Sequence, residues 1–307
     1  MASIHQVNHP GRELKISFKN KQKHEEDYFF YQGSSEKGLR LWNRSKIKDK
    51  NNPHMRKFIE FKGRYISDLN NLHENEGLLR FWGEYEGYSE FELLKHNENA
   101  KYWDNACAIH RPFFNNKTGE QNTDPYIFGE EFYYAICKKP NLKNIQIGDL
   151  ILFGSEFGER GCVKFYLDTL LVIKEKINID FLKFDEIYTE STLKRLDTQG
   201  SDPKIKYIHT ALKYQNEIKI NQSIFSFVPC KISNEHNISF GRPIIDTTKY
   251  GDYLRKPGTR TGCKSKEIIG SDSIVELWKK IALEVLNQGF YLGTHFDNLE
   301  KINTLPK

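Results

Sequence analysis

Gly148-Asp149-Leu150-Ile151-Leu152-Phe153-Gly154-Ser155, followed by Phe165-Tyr166-Leu167-Asp168-Thr169-Leu170-Leu171-Val172-Ile173, carries the strongest statement about architecture in this chain. Gly148-Asp149 is turn chemistry, and Gly154-Ser155 closes the first apolar run. The second run, Val163 to Ile173, has the Phe, Tyr, Thr and Val content of a strand. Neither run alternates with polar residues, so these strands are expected to be covered on both faces, in a barrel or a covered sheet. Upstream, Leu78 to Glu86 alternates: Leu79, Phe81, Gly83 and Tyr85 share one face, and Arg80, Trp82, Glu84 and Glu86 share the other. Phe58-Ile59-Glu60-Phe61-Lys62 alternates weakly, and Ile127 to Cys137 is rich in aromatics. These strands follow one another too closely for βαβ crossovers until past residue 175. An α+β fold is expected, with a mixed β-barrel followed by helices.

Beyond residue 175 the pattern changes. Phe184 to Leu196 and Ile205 to Tyr214 read as helices, and Ser223 to Ile232 returns to strand character before a loop at Asn234 to Asn237. Ser273 and Glu276 make an S-x-x-E capping box. Ile274, Leu277, Trp278, Ile281, Val285 and Leu286 then repeat at helical spacing, and Gly289 stands where a helix C-terminus needs one. Trp278 reads as a core anchor of that helix. Residues 1–57 form a polar, basic N-terminal extension, with a loop at Asn51-Asn52-Pro53. Residues 58–175 read as the central barrel-like core, and 176–307 as an α/β part packed on the same core.

The 307 residues include 21 Phe, 16 Tyr and 4 Trp but only 2 Met, so the core is expected to be aromatic rather than plastic. The net charge of +5 permits an anionic partner without demanding one. Cys107, Cys137, Cys162, Cys230 and Cys263 are odd in number and widely spaced, with no C-x-x-C pair. Five free thiols in a reducing cytoplasm are expected, with no secretion signal. No apolar run approaches the ~20 residues of a membrane helix.

Phosphate-loop, dinucleotide, zincin, nucleophile-elbow and kinase motifs are absent, which leaves no expected cofactor or metal. Glu60-Phe61-Lys62 is an E-x-K of the kind metal-dependent nucleases use, but its nearest upstream acid, Asp49, stands in a Lys-rich loop. Candidate ligand residues come from two segments. Trp82, Glu84 and Glu86 share a strand face, where an indole beside carboxylates suits a planar ligand with N–H donors. His110 and Arg111, with Asn122 and Asp124 in an N-T-D-P turn, form a polar loop between strands. Arg242, Arg255, Lys256 and Arg260 lie in Gly/Pro-punctuated loops that suit phosphate.

The G-D-apolar-apolar-apolar-Phe strand, followed by a strand of Val/Ile type, resembles the PUA-like superfamily, which includes EVE and ASCH domains. That resemblance covers about the central third of the chain. It implies a small mixed barrel that binds RNA or modified DNA bases, and no binding residue carries over from it. The set F-W-G-E-Y-E, N-T-D-P-Y-I-F-G and G-D-L-I-L-F-G-S also resembles a bacterial protein family that brings no function with it. The expected function is non-catalytic recognition of nucleic acid or a nucleotide-like ligand, modified bases included. The alternatives are an enzyme acting on such a ligand through Glu84, Glu86, His110 and Asp124, and a protein-interaction scaffold.

Overall fold

Lys164–Asn178 forms the longest strand among the described residues, and the two large sheets meet along it at Leu170 and Phe227. The computed structural model describes residues 2–9, 11–13, 55–85, 89–93, 108–115, 125–135, 144–158, 163–178, 207–214, 224–234, 239–256, 258, 262–269 and 273–303. In chain order the first strands are β1 (Ser3–Asn8), β2 (Arg12–Glu13), β3 (Met55–Ile66), β4 (Asn75–Gly83), β5 (Ser89–Leu93) and β6 (Ala108–Pro112). β7 (Phe114–Asn115), β8 (Tyr133–Ala135), β9 (Leu150–Phe157), β10 (Lys164–Asn178) and β11 (Tyr207–Ala211) follow. The chain continues with β12 (Val228–Ile232), β13 (Ile244–Ile245), β14 (Gly262–Glu267), α1 (Ile274–Asn287), β15 (Tyr291–Phe296) and β16 (Lys301–Ile302).

One sheet runs β14-β1-β9-β10-β11-β8, with β13 also on β10. The other runs β15-β12-β4-β3-β6-β5, with β2 on β3. In this second sheet β15 also pairs with β3, so β3, β4, β12 and β15 close into a four-stranded barrel, antiparallel at every seam. Two of its strands, β12 and β15, come from beyond residue 175. Leu170 and Phe227 exchange backbone hydrogen bonds of 2.9 Å in both directions, which ties β10 to the chain entering β12. β1 is also an interior strand, parallel to β9 and antiparallel to β14.

The uninterrupted apolar runs have the expected cause. Ile151, Phe153, Leu171 and Ile173 face one core cluster, whereas Leu150, Leu152, Leu170 and Val172 face another. Each such side chain contributes about 1.5–3 kcal/mol by leaving water. Gly154 does not end β9, which continues to Phe157. A Cβ at Gly154 would collide with the Tyr166 carbonyl, so glycine there permits close approach to β10 beside its bulge between Leu167 and Thr169.

α1 begins at its Ser273 cap, whose side chain accepts the Glu276 N–H at 3.1 Å, and Gly289 follows at φ +74°. Trp278 is buried, donates to the Phe225 carbonyl at 2.7 Å and meets the Phe225 ring edge-on. The segment Ile205 to Tyr214 is corrected: residues 207–211 are a strand, paired with both β10 and β8. Phe184 to Leu196 and Asn51 to Pro53 lie outside the described residues. Among the described residues Cys230 is a free, buried thiol, and burial pushes its pKa far up. Among them, too, no helix is long and apolar enough to cross a membrane.

Candidate functional site

The bulge in β10 delivers Asp168 to the rim of the barrel, where it meets two arginines. Arg56, at the start of β3, holds one Asp168 oxygen through Nε at 2.9 Å and Nη2 at 2.8 Å. Arg242 holds the other through Nη1 at 2.6 Å and reaches Glu13 of β2 through Nε at 3.0 Å. Glu84, just past β4, pairs with His9 at 2.6 Å and lies 3.7 Å from Arg56. All six side chains are buried. Burial opposes charge on Arg242, but Asp168 and Glu13 hold its pKa above the ordinary value; burial likewise opposes ionisation of Glu13, and Arg242 overcomes it. A void of about 10 Å³ beside this network is lined by Trp82, Glu84, Phe153, Asp168 and Thr169, room for one water.

Trp82 and Glu84 therefore share a site, but Trp82 is not an open stacking platform. Its ring is 4% exposed and packs on Phe58, and its N–H donates to the Phe240 carbonyl at 2.5 Å. His110 points into the interior and shares a hydrogen bond with Ser89 at 2.7 Å. Burial and the Lys57 charge keep its pKa well below the usual histidine range. Arg111, the next residue on β6, turns outward and grips Glu60 through Nε at 3.0 Å and Nη2 at 2.8 Å. Period-2 alternation thus separates the two members of the expected loop site. Arg80 and Ser233 also hold Glu60, so the E-x-K carboxylate is engaged by cations. Among the described residues no group of His, Cys, Asp and Glu has the arrangement of a metal site.

Arg242, expected at a phosphate, is buried between two carboxylates. Arg255 pairs with Glu156 at 2.9 Å, and the same carboxylate accepts the Gly258 N–H. Lys256 is exposed. Glu86, Asn122, Asp124 and Arg260 lie outside the described residues.

A second site opens on the outer face of the barrel. A groove of about 670 Å³ is lined by Lys62, Arg64, Glu76, Leu78, Glu130, His295 and Asp297, with Gly63 and Gly77 beneath. A bulge between Gly293 and His295 turns the imidazole to this wall. Lys213 Nζ sits 2.8 Å from His295 Nδ1 and donates to the Gly129 carbonyl at 2.9 Å. Burial lowers the Lys213 pKa to about 8. Burial, then the Lys213 and Arg64 charges, lower that of His295 to about 4. At neutral pH His295 is accordingly uncharged and accepts from Lys213 at Nδ1. Its proton is on Nε2, on the side of Asp297, whose Oδ1 lies 3.6 Å away. Sequence reading missed this site: its residues come from five distant segments, and Lys213 lay in the segment read as helix.

Closed barrel, flanking sheet and polar outer groove define an α+β protein built around a small β-barrel. No protein-family model, curated protein or solved structure matches this chain.

Proposed function

We propose that this protein recognises nucleic acid or a nucleotide-like ligand, and that the outer groove takes the base. The carrying observation is the His295 side of that groove, where a neutral imidazole held by Lys213 stands among groups of both hydrogen-bonding senses. Arg64, Lys62 and His295 Nε2–H donate; Glu76, Glu130 and Asp297 accept. A base edge presents the same mixture of acceptors and N–H donors. The volume is in the range of small-ligand sites. Two cations against three carboxylates make a poor track for a run of phosphates, which favours reading a base or nucleoside over gripping a long backbone.

The test is a titration of nucleosides, nucleotides and short single strands, with modified and unmodified bases, at two salt concentrations. Glu130→Gln and His295→Ala should each weaken binding about tenfold or more, as expected for ~1.4 kcal/mol or more of lost contact. The log–log salt slope should stay shallow, at about −0.7 for each phosphate contacted. No binding of any of these ligands at low salt defeats the proposal. The enzyme alternative draws on the rim, where Glu84, His9 and Asp168 are fixed beside a water-sized void. Its mark is turnover of the same ligands that Glu84→Gln abolishes.

A further inference from the structure

Among the described residues β14 is the outermost strand of the first sheet, and its Ser265 stands directly opposite His5 of β1. Ser265 is exposed, whereas His5 and Asp149 are 2% and 1% exposed. Ser265 Oγ lies 2.8 Å from His5 Nδ1, and His5 Nε2 lies 2.9 Å from Asp149 Oδ2. Asp149 precedes β9, and its two oxygens accept the Ser3 N–H at 2.7 Å and the Gln146 N–H at 2.8 Å. An acceptor so placed takes the His5 proton bond as well, which puts the proton on Nε2. The lone pair of Nδ1 is then left for the Ser265 hydroxyl. Nucleophile, base and orienting carboxylate are in series, with the base buried and the nucleophile at the surface.

We propose that Ser265 is a nucleophile toward small carboxylic esters, a hydrolytic site on a different sheet from the groove and independent of it. Ser265 Oγ adds to the ester carbonyl carbon while its proton passes to His5 Nδ1. The bond to the leaving alkoxide breaks, and the alkoxide takes that proton and departs as the alcohol. Water then adds to the acyl-serine carbonyl and gives a proton to Nδ1. The Ser265 Oγ bond to the acyl carbon breaks, Oγ recovers the proton, and the acid is released. Asp149 stabilises the imidazolium present in both halves. The exposure of Ser265 sets the substrate class: small, activated acyl groups rather than long chains that need a tunnel.

The experiment uses the full chain with a fluorophosphonate probe and p-nitrophenyl acetate, with peptide mass spectrometry to locate the label. Wild type should carry the phosphonyl group on Ser265, and Ser265→Ala should lose both label and turnover with an unchanged melting profile. His5→Gln should slow labelling at least a hundredfold, within the range for a general base. Because His5 is buried, Ser265→Cys provides a second reading: its thiol should alkylate with iodoacetamide faster than the exposed-cysteine reagent N-acetylcysteine. A folded wild type that takes no label at Ser265, or a Ser265→Cys thiol no faster than that reagent, overturns the proposal.

Discussion

Asp168 shows what the rim demands of single residues. Three carboxylates, two guanidinium groups and an imidazole lie out of water there, and each depends on its neighbours for compensation. Removing one partner strands the others, which for a buried pair costs about 3–5 kcal/mol. Asp168→Asn should lower stability by that order because Arg56 and Arg242 both lose their shared carboxylate. A urea midpoint within experimental error of wild type would show that solvent compensates them. Acid acts on other residues. Burial, with Lys176 and His5 adding to it, lowers His209 to about 4, as His295 is lowered to about 4. An unfolded histidine titrates near 6.5, so below that pH the unfolded chain binds more protons than the folded one. Stability should therefore fall as pH drops from about 6.5 toward 4, by at most ~1.4 kcal/mol per pH unit for each group. His209→Leu should flatten that slope in urea titrations between pH 7 and 5. A midpoint unchanged over that range in wild type would contradict the reading.

At the scale of elements, α1 and β11 mark the two ends of legibility. The helix carried local signals: a serine cap, an apolar stripe and a terminal glycine, all meaningful within about fifteen residues of chain. Trp278→Ala should cost ~3–5 kcal/mol because it removes a buried aromatic and strands the Phe225 carbonyl. Ser273→Ala should cost only about 1 kcal/mol, the value of an exposed cap. Thermal unfolding of the two variants measures both, and equal losses would mean that packing does not dominate this helix. Tyr207–Ala211 carried no such signal. Ile205, Ile208 and Leu212 can be read at helical spacing, yet Ile208 and Thr210 are β-branched and the segment pairs with a strand on either side. Pairing across the sheet prevailed over the local pattern, as β structure commonly does. The doubly covered strands β9 and β10 were readable for a different reason: unbroken apolar character survives without any knowledge of partners.

At the scale of the molecule, the barrel joins segments more than two hundred residues apart, and the groove exists only because it closes. That is why Trp82 and Glu84 could be assigned to one face from sequence, whereas Lys213, His295 and Glu130 could not be assembled into a site. Closure is tight at Gly293 of β15, where an added Cβ would come within 2.9 Å of the Val228 carbonyl, and tighter still at Gly63 of β3. β15 crosses β3 so closely at Gly63 that an added Cβ would collide with the His295 carbonyl and come within 3.1 Å of Leu79. Gly77, its cross-strand partner on β4, has nothing nearer than Tyr65 at 3.8 Å. Gly63→Ala should therefore push β15 away, cost about 1–3 kcal/mol or more as overpacking does, and displace His295 from the groove wall. Gly77→Ala should be neutral or slightly stabilising, because a strand glycine gives up more chain entropy than alanine. Urea unfolding and ligand titration on the pair separate closure from composition, since both variants add one methyl group to the same barrel. If the two behave alike, the β3–β15 seam does not hold the groove in shape.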